Sequence, residues 1–134
     1  MSNIKYLEAL RELGNALDRL KEVLDEPLNV KDYVLDAAIQ RFEFVVELFW
    51  KALKHLLLYE GVNITLPKEA LQKAYAAGWL DNEQLWLDMM KDRNETSHTY
   101  KKNKALEIYE HIKIYYPEMR KSYEFIVKKF PVNN

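Results

Sequence analysis

The sequence predicts an all-α fold, an antiparallel up-and-down helical bundle of four long helices plus one short helix, formed as one domain over residues 1–134. Three observations predict it. Apolar residues recur at spacings of three and four along most of the chain, as one buried face of an α-helix requires. Only 3 Gly and 4 Pro interrupt 134 residues, and no stretch alternates apolar with polar residues as a half-buried strand would. A chain of this length can bury about 70% of its unfolded surface, so it can hold a core without cross-links. At 49% apolar and 13% aromatic residues it is too hydrophobic to stay disordered.

In the first element, Ile4, Leu7, Leu10, Leu13, Leu17, Leu20 and Leu24 line one helical face. Ser2 or Asn3 can cap its start and Pro27 ends it. The second runs from about Lys31 to Tyr59, closed by Gly61 where helices commonly place a left-handed residue. Its middle, Phe42 to Leu58, is apolar on nearly every side, which marks a central helix or one packed against another chain. Glu43, Glu47, Lys51, Lys54 and His55 interrupt that run too often for a membrane span. Pro67 suits the first turn of a third, shorter helix ending at Gly78. Asp81, with Gln84 three residues on, reads as a capping box for a fourth helix through Leu85, Trp86, Met89 and Met90. Its apolar stripe decays across residues 92–100. The last helix begins near Asn103 and carries Leu106, Ile108, Tyr109, Ile112, Tyr116, Met119, Tyr123, Ile126, Val127 and Phe130; Pro117 either kinks it or starts a new helix.

Composition narrows the chemistry. With no cysteine there is no disulfide framework, thiolate metal site or thiol nucleophile. The N-terminus lacks a basic region followed by an apolar run, so no secretory signal is expected and a cytoplasmic location is the natural reading. The 20 Lys+Arg and 21 Asp+Glu leave a net charge of −1, which argues against a nucleic-acid binder held by overall charge. That total hides segregation. The first 26 residues hold six acidic and four basic side chains, whereas residues 93–104 hold four basic and one acidic, or +3. Such a patch suits transient contact with a phosphate backbone.

No glycine-rich phosphate loop or Gly-x-Ser-x-Gly elbow is present. Of the three histidines, His55 lies among leucines as a boundary residue, and His111, four after Glu107, reads as half of an exposed helix-face pair. His98 sits instead among Arg93, Asn94, Thr96, Ser97 and Tyr100. Arg93 and His98 are five apart, so at a fraying helix end both can point to one side. A guanidinium forks onto phosphate and a histidine moves protons near neutral pH, which together serve RNA cleavage by the adjacent 2′-hydroxyl without a metal. On spacing alone, pairing of Arg93 with Asp92 or Glu95 and capping by His98 is the simpler reading. A polar stripe of Gln40, Glu43, Glu47, Lys51 and Lys54 occupies one narrow face of the second helix. It is either a solvent strip with a Glu47–Lys51 pair or a carboxylate wall that orients Arg93 and His98. Glu95 and His98 fit a Glu-x-x-His element of a di-iron bundle, but neither His55 nor His111 completes a second one. No metal or other cofactor is expected. Lys101, Lys102 and Lys104 form either a solvated loop or an RNA-backbone contact.

The run from Gln40 to Lys51, QRFEFVVELFWK, followed by Arg93 to Tyr100, RNETSHTY, resembles the nucleotidyltransferase substrate-binding protein family of the HEPN superfamily, which includes the HepT toxins of MntA-HepT toxin-antitoxin pairs. The resemblance extends over almost the whole chain. It implies a homodimeric helical bundle whose two Arg-x4-His segments meet across a cleft, and metal-independent ribonuclease activity with Arg93 and His98 catalytic and Asn94 as supporting polar residue. Through Tyr100 it extends to Arg-x4-His-x-Tyr, in which a minimal nucleotidyltransferase antitoxin transfers AMP to the tyrosine and silences the toxin. AMP there would place a phosphate and a base in the RNA path and offset part of the lysine patch. The competing expectation, matching the family's older name, is a non-catalytic subunit that presents a nucleotide or acceptor to a separate nucleotidyltransferase. A third is a dimeric interaction bundle without a ligand.

Overall fold

A computed structural model describes residues 2–28 and 32–130. Its elements are α1 (Ser2–Leu24), α2 (Asp32–Tyr59), α3 (Pro67–Ala76), α4 (Glu83–Glu95), a single 3-10 turn (Thr96–His98) and α5 (Lys102–Lys129). No strand occurs among the described residues. The side chains of Ser2 and Asn3, expected as caps, and Lys31, the expected start of the second helix, fall outside what is described.

The apolar face of α1 is buried as its spacing predicts, with Leu10, Leu13, Leu17 and Leu20 wholly inaccessible. Burying one such side chain contributes about 1.5–3 kcal/mol. They pack along α2, the central element, which touches each of the other four helices. Phe42, Val45, Phe49, Leu53 and Leu56 of α2 form the middle of one continuous core. The all-round apolar character of α2 is resolved differently on two sides, since Phe44 and Leu58 remain exposed.

Glycines close two helices in the same way. At Gly61 and Gly78 φ is +87° and +84°, a left-handed conformation open to glycine at little cost. Val62 N–H then donates to Leu57 and Trp79 N–H to Ala74, at 2.8 and 2.9 Å, turning the chain back over the end of each helix. Pro67 opens α3 as expected. The cap of α4 is not the expected Asp81–Gln84 box. Asn82 accepts from the Leu85 N–H at 3.1 Å, while Gln84 bonds Asp88 and Asp81 pairs with Lys121. The two candidate caps are adjacent, and the helix starts one residue later than the spacing suggests.

Helix α5 runs unbroken through Pro117, so the proline starts no new helix. Its outer half returns to α1. Arg120 donates to Asp18 at 2.7 Å and lies over Tyr116, and the Tyr123 hydroxyl donates to the Leu10 carbonyl at 3.2 Å. Tyr123 approaches α1 at Gly14, where a Cβ would collide with its hydroxyl oxygen.

Candidate functional site

The site lies where α4 gives way to α5. Its local shape follows from hydroxyl residues that compete for backbone. The hydroxyls of Thr96, Ser97 and Thr99 each face the carbonyl three residues back, at 2.7, 3.4 and 2.8 Å. Such side-chain bonds offer the backbone an alternative to the α-helical ladder, and α4 tightens into a 3-10 turn there. The expected decay over residues 92–100 therefore starts later, with Asp92, Arg93 and Asn94 still helical.

Arg93 points at α2. Its guanidinium nitrogens stand 3.8 Å from Glu43 Oε2 and 3.7 Å from Glu47 Oε1. Neither Asp92 nor Glu95, the neighbours in sequence, takes it. Both carboxylates are themselves held. The Thr96 hydroxyl, on a buried residue, stands 2.7 Å from Glu43 Oε2, and Trp50 Nε1 donates to Glu47 Oε2 at 3.0 Å. The single Thr96 proton serves either Glu43 or the Arg93 carbonyl, which lies equally close. Lys51 also pairs with Glu47 at 3.7 Å, so the stripe on α2 is both a helix-face ion pair and a carboxylate wall facing Arg93.

His98 ends the 3-10 turn with its side chain 56% exposed and Nε2 4.0 Å from Glu95 Oε2. Among the described residues no hydrogen bond joins it to Arg93. Tyr100, 78% exposed, sets its ring edge-on to His98 at 6.5 Å between centroids. Lys101 lies over the Tyr100 ring at 5.9 Å and Lys104 pairs with Glu107 at 3.1 Å, which raises the Lys104 pKa through the hydrogen bond and the glutamate charge. Lys102 and Asn94 are exposed. The turn thus gathers a guanidinium, an imidazole, a phenol and lysines beside a carboxylate wall, groups that can bind a phosphate and move protons. Among the described residues no group of three His, Asp or Glu side chains is placed to share a metal ion.

Comparison with known proteins places the chain. Residues 6–128 match the family described as nucleotidyltransferase substrate binding protein like. The chain belongs to this family. A Haemophilus influenzae protein named probable ribonuclease HepT is 35% identical over 92 residues, covering 65% of this chain and 63% of that protein. The chain therefore spans just under two thirds of that curated relative. A crystal structure of a Thermus thermophilus protein is similar at a TM-score of 0.73 with 33% identity, over 89% of this chain and 98% of that one. A Haemophilus influenzae structure, described as revealing the fold of a substrate binding domain of a nucleotidyltransferase, has a TM-score of 0.75 and 29% identity, covering 90% and 98%.

Within this nucleotidyltransferase substrate-binding fold, one set of partners escaped sequence reasoning. His111 does not pair with Glu107. Its Nδ1 lies 2.8 Å from Asp92 Oδ2 on α4, and the Tyr115 hydroxyl donates to the same oxygen. His111 and Tyr115 share one face of α5 at i,i+4 spacing, but nothing local names Asp92, which joins them only when α4 docks. His55 is the boundary residue expected, its pKa lowered by burial and then by Lys5 and Lys54.

Proposed function

We propose that this family member is a HepT-like ribonuclease that cleaves RNA without a metal, with Arg93 and His98 catalytic. The observation that carries it is the Arg93 guanidinium held against Glu43 and Glu47 beside a turn that leaves His98 exposed. At 3.7 and 3.8 Å these ion pairs are loose, leaving guanidinium donors available to a phosphate. His98 takes the 2′-hydroxyl proton as the 2′ oxygen attacks phosphorus. The P–O5′ bond breaks, the leaving oxygen acquires a proton, and a 2′,3′-cyclic phosphate remains. Arg93 stabilises the charge that builds on the phosphoryl oxygens. Asn94 supplies a polar group beside it, and Lys101, Lys102 and Lys104 contact the RNA backbone. In this reading two such chains form a cytoplasmic homodimer with both sites facing one cleft.

Tyr100 is the modification site in this reading. A partner minimal nucleotidyltransferase forms a bond from the Tyr100 oxygen to the α-phosphorus of ATP, releasing pyrophosphate, and the bulk and charge of AMP beside His98 block the site. The 78% exposure of Tyr100 makes it open to such transfer. The purified protein is expected to cleave RNA in the presence of EDTA and His98→Ala to abolish this without unfolding the bundle. Unchanged cleavage in that variant sinks the assignment. The family description favours a second reading, a non-catalytic subunit that presents substrate to a nucleotidyltransferase. It requires nucleotide-dependent association with the transferase and no cleavage by the wild-type chain.

A further inference from the structure

Asp92 and Arg93 are consecutive in the last turn of α4, and an α-helix sends consecutive side chains about 100° apart. One faces α5, the other α2. The Asp92 side chain is only 15% exposed, and a single oxygen of it meets both His111 Nδ1 and the Tyr115 hydroxyl. An ionised carboxylate only accepts hydrogen bonds, so Nδ1 carries its proton toward Asp92. Tyr115 is fixed in turn, its ring stacked on the wholly buried Phe42 of α2 at 5.8 Å. Burial, the hydrogen bond to Asp92 and its charge push the Tyr115 pKa far above the usual phenol range, so the hydroxyl remains a donor. Helices α4 and α5 approach each other sparsely, and Asp92, His111 and Tyr115 bond across that approach.

We propose that Asp92, gripped by His111 and Tyr115, is the positioning residue that sets the direction of Arg93 by locking the last turn of α4 against α5. Rotation of α4 about its axis is the motion that would swing Arg93 away from Glu43 and Glu47, and Asp92 opposes it at the residue next door. The kinetic consequence rests on the ribonuclease reading above; the structural one does not.

Two readouts test the lock. The first is the Arg93 Nε–H signal in a nitrogen-proton NMR spectrum of the whole protein, assigned by its loss in Arg93→Lys. It is expected to shift in Asp92→Asn, Tyr115→Phe and His111→Leu and to return toward the wild-type position in His111→Asn, whose amide N–H can occupy the Nδ1 place, but not in His111→Gln. The second is RNA cleavage, where kcat is expected to fall about 10–100-fold as Arg93 is misplaced, with KM changing little because the backbone contacts remain. Tyr115→Phe keeps the core ring and serves if Asp92→Asn does not fold. An Arg93 signal that stays in place in whichever of Asp92→Asn, Tyr115→Phe and His111→Leu fold overturns the proposal, as does wild-type kcat in variants whose Arg93 signal has moved. Should the wild-type chain cleave no RNA while the signal moves as expected, the ribonuclease reading fails and the lock stands.

Discussion

Thr96→Val isolates the bond that ties the candidate site to the central helix. Valine keeps the branched shape and removes one hydroxyl, so the change deletes a donor without opening a cavity. A hydrogen bond to a charged acceptor contributes about 1.5–3 kcal/mol. Glu43 is one-third exposed, so water replaces part of what is lost, and the expected destabilisation is about 1–2 kcal/mol. With an unfolding entropy of roughly 2.1 cal/mol/K per residue over 134 residues, this corresponds to a fall in Tm of about 4–7 °C. Thermal melting followed by far-UV circular dichroism, at one protein concentration so that any self-association is constant, measures it. The partner is identified by a cycle of Thr96→Val, Glu43→Ala and the double variant, with an expected coupling of about 1 kcal/mol. Two results refute the reasoning: a Thr96→Val melt within about 1 °C of wild type, or a cycle that closes to zero, which would return the hydroxyl to the Arg93 carbonyl alone.

The revised cap of α4 predicts that Asn82→Ala costs about 1 kcal/mol and that Asp81→Ala costs less than half of that, compared by urea denaturation; the reverse order would restore Asp81 as the cap. Two residues predict opposite arms of the pH dependence of stability. The pKa of Tyr115 is raised by folding, so the unfolded chain loses its proton first and stability falls as pH rises above about 10; Tyr115→Phe should flatten that arm. The pKa of His55 is lowered, so the unfolded chain takes up a proton first and stability falls as pH drops below about 6.5. Changing His55 to glutamine should flatten the acid arm, and an unaltered slope there rules out its contribution.

How far these features could be read in advance depends on the range over which each is decided. Helix faces are local, and the stripe from Leu10 to Leu20 or the glycines at 61 and 78 follow from spacing and backbone freedom alone. The segment holding Arg93, His98 and Tyr100 was legible as a polar interruption, and its family resemblance singled out the same residues. Arg93 was harder. Neighbours such as Asp92 and Glu95 are as good partners in sequence as Glu43 and Glu47, and only the docking of α4 on α2 selects the second pair. His111 shows the same limit, since Glu107 is one turn away on its own helix, whereas Asp92 is 19 residues distant. Adjacent candidates are another source of error, as with Asp81 and Asn82, where one residue of register decides which side chain meets the Leu85 N–H.

The clasp between α1 and α5 bears on the order in which the chain can assemble. Arg120 and Asp18 are 102 residues apart and Tyr123 and Leu10 are 113 apart, so closing either loop costs about 4 kcal/mol of chain entropy before any contact repays it. The α1–α2 hairpin needs no such closure and can form while the rest is still being synthesised. Tyr115 and His111 arrive only with α5, after the residues they hold. A ribosome that has delivered Arg93 has already delivered Glu43 and Glu47 but not His111 and Tyr115, and under the proposed lock the final orientation of Arg93 would be among the last things the growing chain acquires.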